Sequence, residues 1–200
     1  MSLAATVMED TRPTKPCQKF EGHTHWVTDV IHLPGGKQIM TCSNDGSLGV
    51  WNLQTGKNIA NWQDGERGVK SMALSVDGKK VVSGSSDGSV RLWNMETGQV
   101  LAKWTGHTRP VLSVCWNQEG EQVLSGSKDR TTRVWDVETG NTILEINTEL
   151  DDVYTAIFSP DSTLIATSGR SSEDEFIKIW DANTGKLVAI LKGHPRVWLA

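Results

Sequence analysis

The 200-residue sequence is short of several things, and each shortage removes a class of protein. It has three cysteines, Cys17, Cys42 and Cys115, an odd count without C-x-x-C spacing. Neither a disulfide framework nor a zinc cluster is indicated, and a reducing compartment is expected. No apolar run approaches the roughly 18 residues of a membrane span, and "MSLAATVMEDTRPTK" lacks the basic flank and apolar stretch of a secretory signal. The expected setting is intracellular, cytoplasmic or nuclear, with no membrane partner. Positive charge is also in deficit, 20 Lys and Arg against 24 Asp and Glu for a net charge of −4, so no nucleic-acid partner is expected. Tyrosine occurs once and phenylalanine three times, yet there are nine tryptophans, and four of them fall at near-constant spacing.

Trp51, Trp93, Trp135 and Trp180 lie 42, 42 and 45 residues apart, inside the related stretches "TCSNDGSLGVWNLQTG", "SGSSDGSVRLWNMETG", "SGSKDRTTRVWDVETG" and "SGRSSEDEFIKIWDANTG". A period of this length indicates stacked supersecondary units. Within a unit, apolar residues alternate and Gly, Asp and Asn interrupt at short intervals, the pattern of strands joined by tight turns. In the third unit the strands are expected at 111–116, 122–127, 131–136 and 141–146. A four-stranded antiparallel sheet has two apolar faces and cannot bury them alone, so such units stack face to face around an axis. The expected fold is all-β, a β-propeller arc of four four-stranded antiparallel blades.

The pairs Gly22-His23, Gly106-His107 and Gly193-His194, the aspartates six residues before each tryptophan or its equivalent (Asp45, Asp87, Asp129, Asp174), and "WD" at 135–136 and 180–181 resemble the WD40 repeat family. The resemblance implies a seven-bladed ring as the usual form, no intrinsic enzymatic activity, no cofactor, and use as a docking platform for proteins or peptides. It also implies a hydrogen-bond relay joining a loop His, a second-strand Ser or Thr, the turn Asp and the third-strand Trp. This relay maps onto His23, Thr41, Asp45 and Trp51, and onto His107, Ser125, Asp129 and Trp135. Asp87 with Trp93 and Asp174 with Trp180 are its remnants in units two and four, which carry Asp64-Gly65 and Thr148-Glu149 where Gly-His is expected. Those two blades are expected to be less stable.

Two catalytic alternatives are weak. Gly84-Ser85-Ser86-Asp87-Gly88 fits G-x-S-x-G, but a nucleophile elbow needs a helix after the turn, and here the alternating strand "SVRLWN" follows. His23-Thr24-His25 suggests half a metal site, with no third ligand at recognisable spacing.

A partner would meet the loops. The position before each first strand reads His25, Arg67, Arg109, Asp151 and Arg196; the next carries Trp26 and Asp152; the residues before the turn aspartates are Asn44, Ser86, Lys128 and Glu173, with Arg130 just beyond. Blades one to three thus present cations and Trp26, and blade four presents acids. The expected partner is a protein or peptide, acidic or phosphorylated, lying over Arg67 and Arg109 with Trp26 as an anchor. The expected organisation is a flexible tail over 1–15 and a propeller segment over 16–200. Within it lie a latch strand at 16–21, blades at about 24–63, 66–105, 108–147 and 150–192, and the start of a fifth at 193–200. Four blades are incomplete relative to a seven-bladed ring. Three arrangements answer this: a truncated piece of a longer protein, a homodimer that closes the ring, or a tighter four-bladed form. The first makes the chain a sensor or regulatory segment of a larger signalling protein, the alternative to a free-standing scaffold.

Overall fold

A computed structural model describes residues 19–63, 65, 67–171 and 176–192. These form four antiparallel sheets of four strands, each in sequence order. Blade one holds β1 (Val27–His32), β2 (Gln38–Ser43), β3 (Ser47–Asn52) and β4 (Asn58–Gln63). Blade two holds β5 (Val69–Leu74), β6 (Lys80–Ser85), β7 (Val90–Asn94) and β8 (Val100–Trp104). Blade three holds β9 (Val111–Trp116), β10 (Gln122–Ser127), β11 (Thr131–Asp136) and β12 (Thr142–Asn147); blade four holds β13 (Asp152–Phe158), β14 (Leu164–Arg170), β15 (Phe176–Asp181) and β16 (Leu187–Lys192). Blade three matches the strands expected from the sequence, except that β12 lies one residue later at both ends. The tail at 1–15, the segment at 193–200 and residues 16–18 of the latch lie outside the described residues, and Lys19–Glu21 form no strand.

Turn chemistry fixes the hairpins. Between β3 and β4, Asn52 Oδ1 accepts the backbone N–H groups of Gln54 and Thr55, both at 2.9 Å, and the Gly56 N–H returns to the Asn52 carbonyl at 2.8 Å. Asn94, Asp136 and Asp181 do the same work in the other blades. Gly98 closes the second of these turns at φ 69°, where a side chain would also run into the Trp62 indole.

The core lies between blades. Met40, Leu48 and Val50 of blade one pack against Val69, Met72 and Val81 of blade two. Val82 and Leu92 meet Val111, Val114 and Val123, and Leu124, Val134 and Ile146 meet Val153, Ala156 and Ile165. Each large side chain buried in this way contributes about 1.5–3 kcal/mol. The last strand of one blade also covers the repeat tryptophan of the next. Trp62 stacks on Trp93 and Trp104 on Trp135, with ring centroids 6.1 and 6.0 Å apart and planes 17° apart in both pairs. Phe20 takes the corresponding place over Trp51, edge-on at 6.1 Å.

Candidate interaction face

His23 precedes β1 with both ring nitrogens committed: Nε2 lies 2.7 Å from Thr41 Oγ1, and Nδ1 lies 3.0 Å from Asp45 Oδ2. The Trp51 indole N–H donates to the same Thr41 oxygen at 2.7 Å, and the Thr24 amide donates to Asp45 at 2.8 Å. Blade three repeats this set: His107 Nε2 to Ser125 Oγ at 2.8 Å, Nδ1 to Asp129 Oδ2 at 2.8 Å, and the Trp135 N–H to Ser125 Oγ at 2.7 Å. Burial works against ionisation of Asp45, but hydrogen bonds from Ser47, the Thr24 amide and His23 outweigh it and hold the carboxyl at about 2. At Asp129 burial is likewise outweighed, here by His107 and Thr131, and the carboxyl stays well below the usual carboxylate range.

Blades two and four, expected to lack the relay, fill its corner differently. Gly65 stands at the histidine position with φ 128°, and a Cβ there would lie 4.0 Å from Arg91 Nη2. Arg91, two residues before Trp93 and buried, donates to Asp87 Oδ2 at 2.8 Å and to Ser89 Oγ at 2.7 Å. Burial opposes the charge of Asp87, and hydrogen bonds from Ser89 and Arg91 hold its carboxyl well below the usual range. The Trp93 N–H still reaches a second-strand hydroxyl, Ser83 Oγ, at 2.9 Å. In blade four Glu149 occupies the histidine position at φ 58°. Lys178, two residues before Trp180, donates to the Thr148 carbonyl at 2.8 Å and to Glu149 at 3.0 Å, while the Trp180 N–H donates to Thr167 at 2.8 Å. Asp174 lies outside the described residues. Ser83, Arg91, Thr167 and Lys178 were missed from sequence. The signal for the two cations was the position two before each tryptophan, which reads Gly49, Arg91, Arg133, Lys178.

One backbone contact recurs and gathers the loop residues. The Asn44 amide donates to the Trp26 carbonyl at 2.9 Å, Ser86 to Gly68 at 2.8 Å and Lys128 to Pro110 at 3.0 Å. Each first-strand loop therefore rests on the turn between second and third strands, bringing His25 and Trp26 to Asn44, Arg67 to Ser86, and Arg109 to Lys128. Trp26 is 77% exposed, with its ring edge-on to His25 at 5.3 Å. Asn44 Oδ1 accepts the Lys70 ammonium at 2.6 Å. Ser86 sits between β6 and β7, strand to turn to strand, which is not a nucleophile elbow. His25 Nδ1 accepts the Trp26 amide at 2.8 Å, and among the described residues no group of three His, Cys, Asp or Glu could hold a metal ion.

Rather than lying apart, the cationic and acidic groups meet between blades three and four. Arg130 Nη2 lies 3.5 Å from Asp151 Oδ1, and Arg170 Nη2 lies 3.4 Å from Asp152 Oδ2. Asp152 is not a loop residue: it opens β13 and is largely buried. Together with Arg109 and Lys128 these side chains line a cleft of about 540 Å³. Arg109 and Lys128 form no ion pair among the described residues. Glu173 lies outside the described residues.

A model of the family described as NWD2 C-terminal beta-propeller matches residues 22–195. Nuclear distribution protein PAC1 of Eremothecium gossypii is 38% identical over 58 residues, which is 29% of this chain and 12% of that protein. The chain thus spans about an eighth of the curated relative it matches.

Proposed function

Because the chain belongs to the NWD2 C-terminal β-propeller family, a family of WD40 propellers, we propose that it is an interaction platform whose loop face docks an acidic or phosphorylated peptide. WD40 propellers are in general non-catalytic interaction domains. The observation that carries the finer proposal is the cleft between blades three and four, where Arg109 and Lys128, unpaired among the described residues, stand beside the Arg130–Asp151 and Arg170–Asp152 pairs. An incoming carboxylate or phosphate gains charge-assisted hydrogen bonds from these two cations without first breaking an ion pair. Arg67, one blade back in the equivalent loop, extends the track, and Trp26 offers an exposed aromatic face further along. Asp151 and Asp152, already engaged, orient Arg130 and Arg170 instead of repelling the ligand.

The test uses fluorescence anisotropy with two labelled probes, a phosphoserine peptide and the same peptide with Glu in its place. A charge-assisted bond contributes about 1.5–3 kcal/mol, so Arg109→Glu with Lys128→Glu should weaken binding at least about tenfold. Affinity unchanged by the double reversal, or no binding of either probe to the unaltered chain, defeats the proposal. A second reading, a regulatory segment of a larger signalling protein, is supported by the family description, in which the propeller is a C-terminal part. An odd count of three cysteines without C-x-x-C spacing supports a reducing, intracellular setting. No helix among the described residues is long and apolar enough to cross a membrane.

A further inference from the structure

Backbone strain is concentrated at one of the three junctions between successive blades. Among the described residues, three that are not glycine hold a left-handed backbone: Arg130 at φ 76°, Glu149 at φ 58° and Ser162 at φ 59°. All three sit where blade three meets blade four. Glu149 stands in the loop leading into blade four, and Ser162, on the opposite face, accepts the Gln118 amide at 3.0 Å and donates to Glu119 at 2.9 Å. Strained residues persist where their surroundings over-determine them, and they cluster at functional sites.

The counterparts of Arg130 in the first two blades are Gly46 and Gly88, at φ 84° and 82°. A Cβ at Gly46 would run into the Gly65 carbonyl oxygen, and one at Gly88 would lie 2.6 Å from that of His107. Ahead of blade four the same loop position is held by Glu149, and the neighbouring Thr148 clasps the arginine. Its amide and its hydroxyl both donate to the Arg130 carbonyl, at 3.0 and 2.8 Å. The Lys128 amide is held by the Pro110 carbonyl, and the Asp129 carboxylate by His107, the Thr108 amide and Thr131. Lys128 and Arg130 thus project from a turn that is fixed at each residue.

The charges lining the cleft decide what it can take. Its three carboxylates, Asp129, Asp151 and Asp152, are all engaged, whereas two of its four cations, Arg109 and Lys128, have no ion pair among the described residues. Arg130 and Arg170 stand 3.5 and 3.4 Å from their acids, beyond the roughly 2.7–2.9 Å of a charge-assisted hydrogen bond, and their side chains are 65% and 62% exposed. Their N–H groups therefore remain available to a ligand.

We infer that this cleft selects a phosphate monoester over a carboxylate, and that Arg130 is the residue that makes the distinction. The inference rests on the reading of the loop face as a peptide-docking surface and names the group that the surface takes. A phosphoserine carries about −1.5 to −2 at pH 7, spread over three terminal oxygens. Arg109 and Lys128 match that charge, and the Arg130 guanidinium meets the third oxygen. A glutamate brings one charge and two oxygens, which Arg109 and Lys128 already satisfy, so it gains nothing from Arg130.

Calorimetric titration with two peptides that differ only in phosphoserine or glutamate tests this. The unaltered chain should bind the phosphoserine peptide at least about tenfold more tightly. Arg130→Gly combined with Asp151→Asn removes one charge of each sign, so the net charge of the cleft is kept, and it restores the glycine that blades one and two carry. With far-UV circular dichroism unchanged, this chain should bind phosphoserine about tenfold more weakly and glutamate as before. Losses that are equal for the two peptides would make Arg130 a merely structural part of the turn and overturn the inference, as would no loss at all. Equal affinity of both peptides for the unaltered chain also overturns it, while leaving the acidic-peptide reading intact. Binding of neither peptide defeats both.

Discussion

Blades one and three solve a corner problem one way, and blades two and four another. Each corner must satisfy an indole N–H, a second-strand hydroxyl and, in blades one to three, a turn carboxylate, all largely withdrawn from water. In blades one and three an imidazole arrives from the loop, 22 residues before the aspartate it binds, and so ties that loop to the sheet. In blade two a guanidinium arrives from the third strand, four residues after Asp87, within a single hairpin. It neutralises the carboxylate from the strand, and Gly65 at the histidine position has no side chain with which to reach it. Blade four inverts the polarity, with the cation on the strand and the acid, Glu149, on the loop. The same fold thus tolerates different chemistry at one corner, and the blades differ in which element supplies the cation or imidazole that spans loop and sheet.

The sharpest way to break the comparison is to remove the carboxylates. Asp129→Ala removes the acceptor of His107, whose side chain is fully buried, and of the Thr108 amide and Thr131 hydroxyl, and should cost about 3 kcal/mol or more in urea unfolding, since a hydrogen bond to a charged group contributes about 1.5–3 kcal/mol. Asp87→Ala should cost less, about 1–3 kcal/mol, because that carboxylate is more exposed and Arg91 keeps Ser89. Equal losses would mean that loop tethering adds nothing.

Acid titration comes next. Asp45 ionises at about 2 in the folded chain against an ordinary 3.8, so its contribution is complete above 3.8 and is lost as pH falls through about 2. Asp87 and Asp129 are shifted in the same direction. Melting temperature should therefore drop steeply below about pH 4, and the slope should flatten in an Asp45→Asn chain. A slope unaffected by that substitution would assign the acid sensitivity to other groups.

A double-mutant cycle tests whether the two solutions exclude each other. Gly65→His puts an imidazole where Arg91 already reaches, and Arg91→Gly copies the Gly49 of blade one. Each change alone should destabilise, and together they should recover about 1 kcal/mol relative to their sum. Simple additivity would show that the corner does not discriminate. The smallest effect is expected at Arg130, which holds φ 76° at the turn position occupied by glycine in blades one and two. Arg130→Gly should raise stability by about 0.5–1 kcal/mol, because glycine adopts that conformation without strain and the lost pair with Asp151 is largely exposed. It should also weaken the phosphopeptide probe.

Much of this was legible in advance. The period of 42 residues and the strands of blade three can be read from the chain, because they depend on local alternation and on residues repeating in register, whereas the partners of His23 and His107 were implied by the family resemblance. Arg91 and Lys178 were not found, since a cation in an alternating strand reads as a solvated side chain until burial shows otherwise. The pairing of Arg130 with Asp151 was also out of reach. Their loops belong to different blades, and only the stacking of sheets decides which charges become neighbours. Asp152 was misplaced because β13 begins one residue earlier than the other first strands, drawing an expected loop position into the sheet.

The paired tryptophans give the molecule an optical consequence. Indoles 6.1 and 6.0 Å apart couple their electronic transitions, so the first and second junctions should each produce an exciton couplet in circular dichroism. The third junction has Ile146 in place of the outer ring and is silent. Trp62→Phe or Trp104→Phe would extinguish one signal and leave the other. The chain therefore carries built-in reporters that can show whether its blades separate together or one after another.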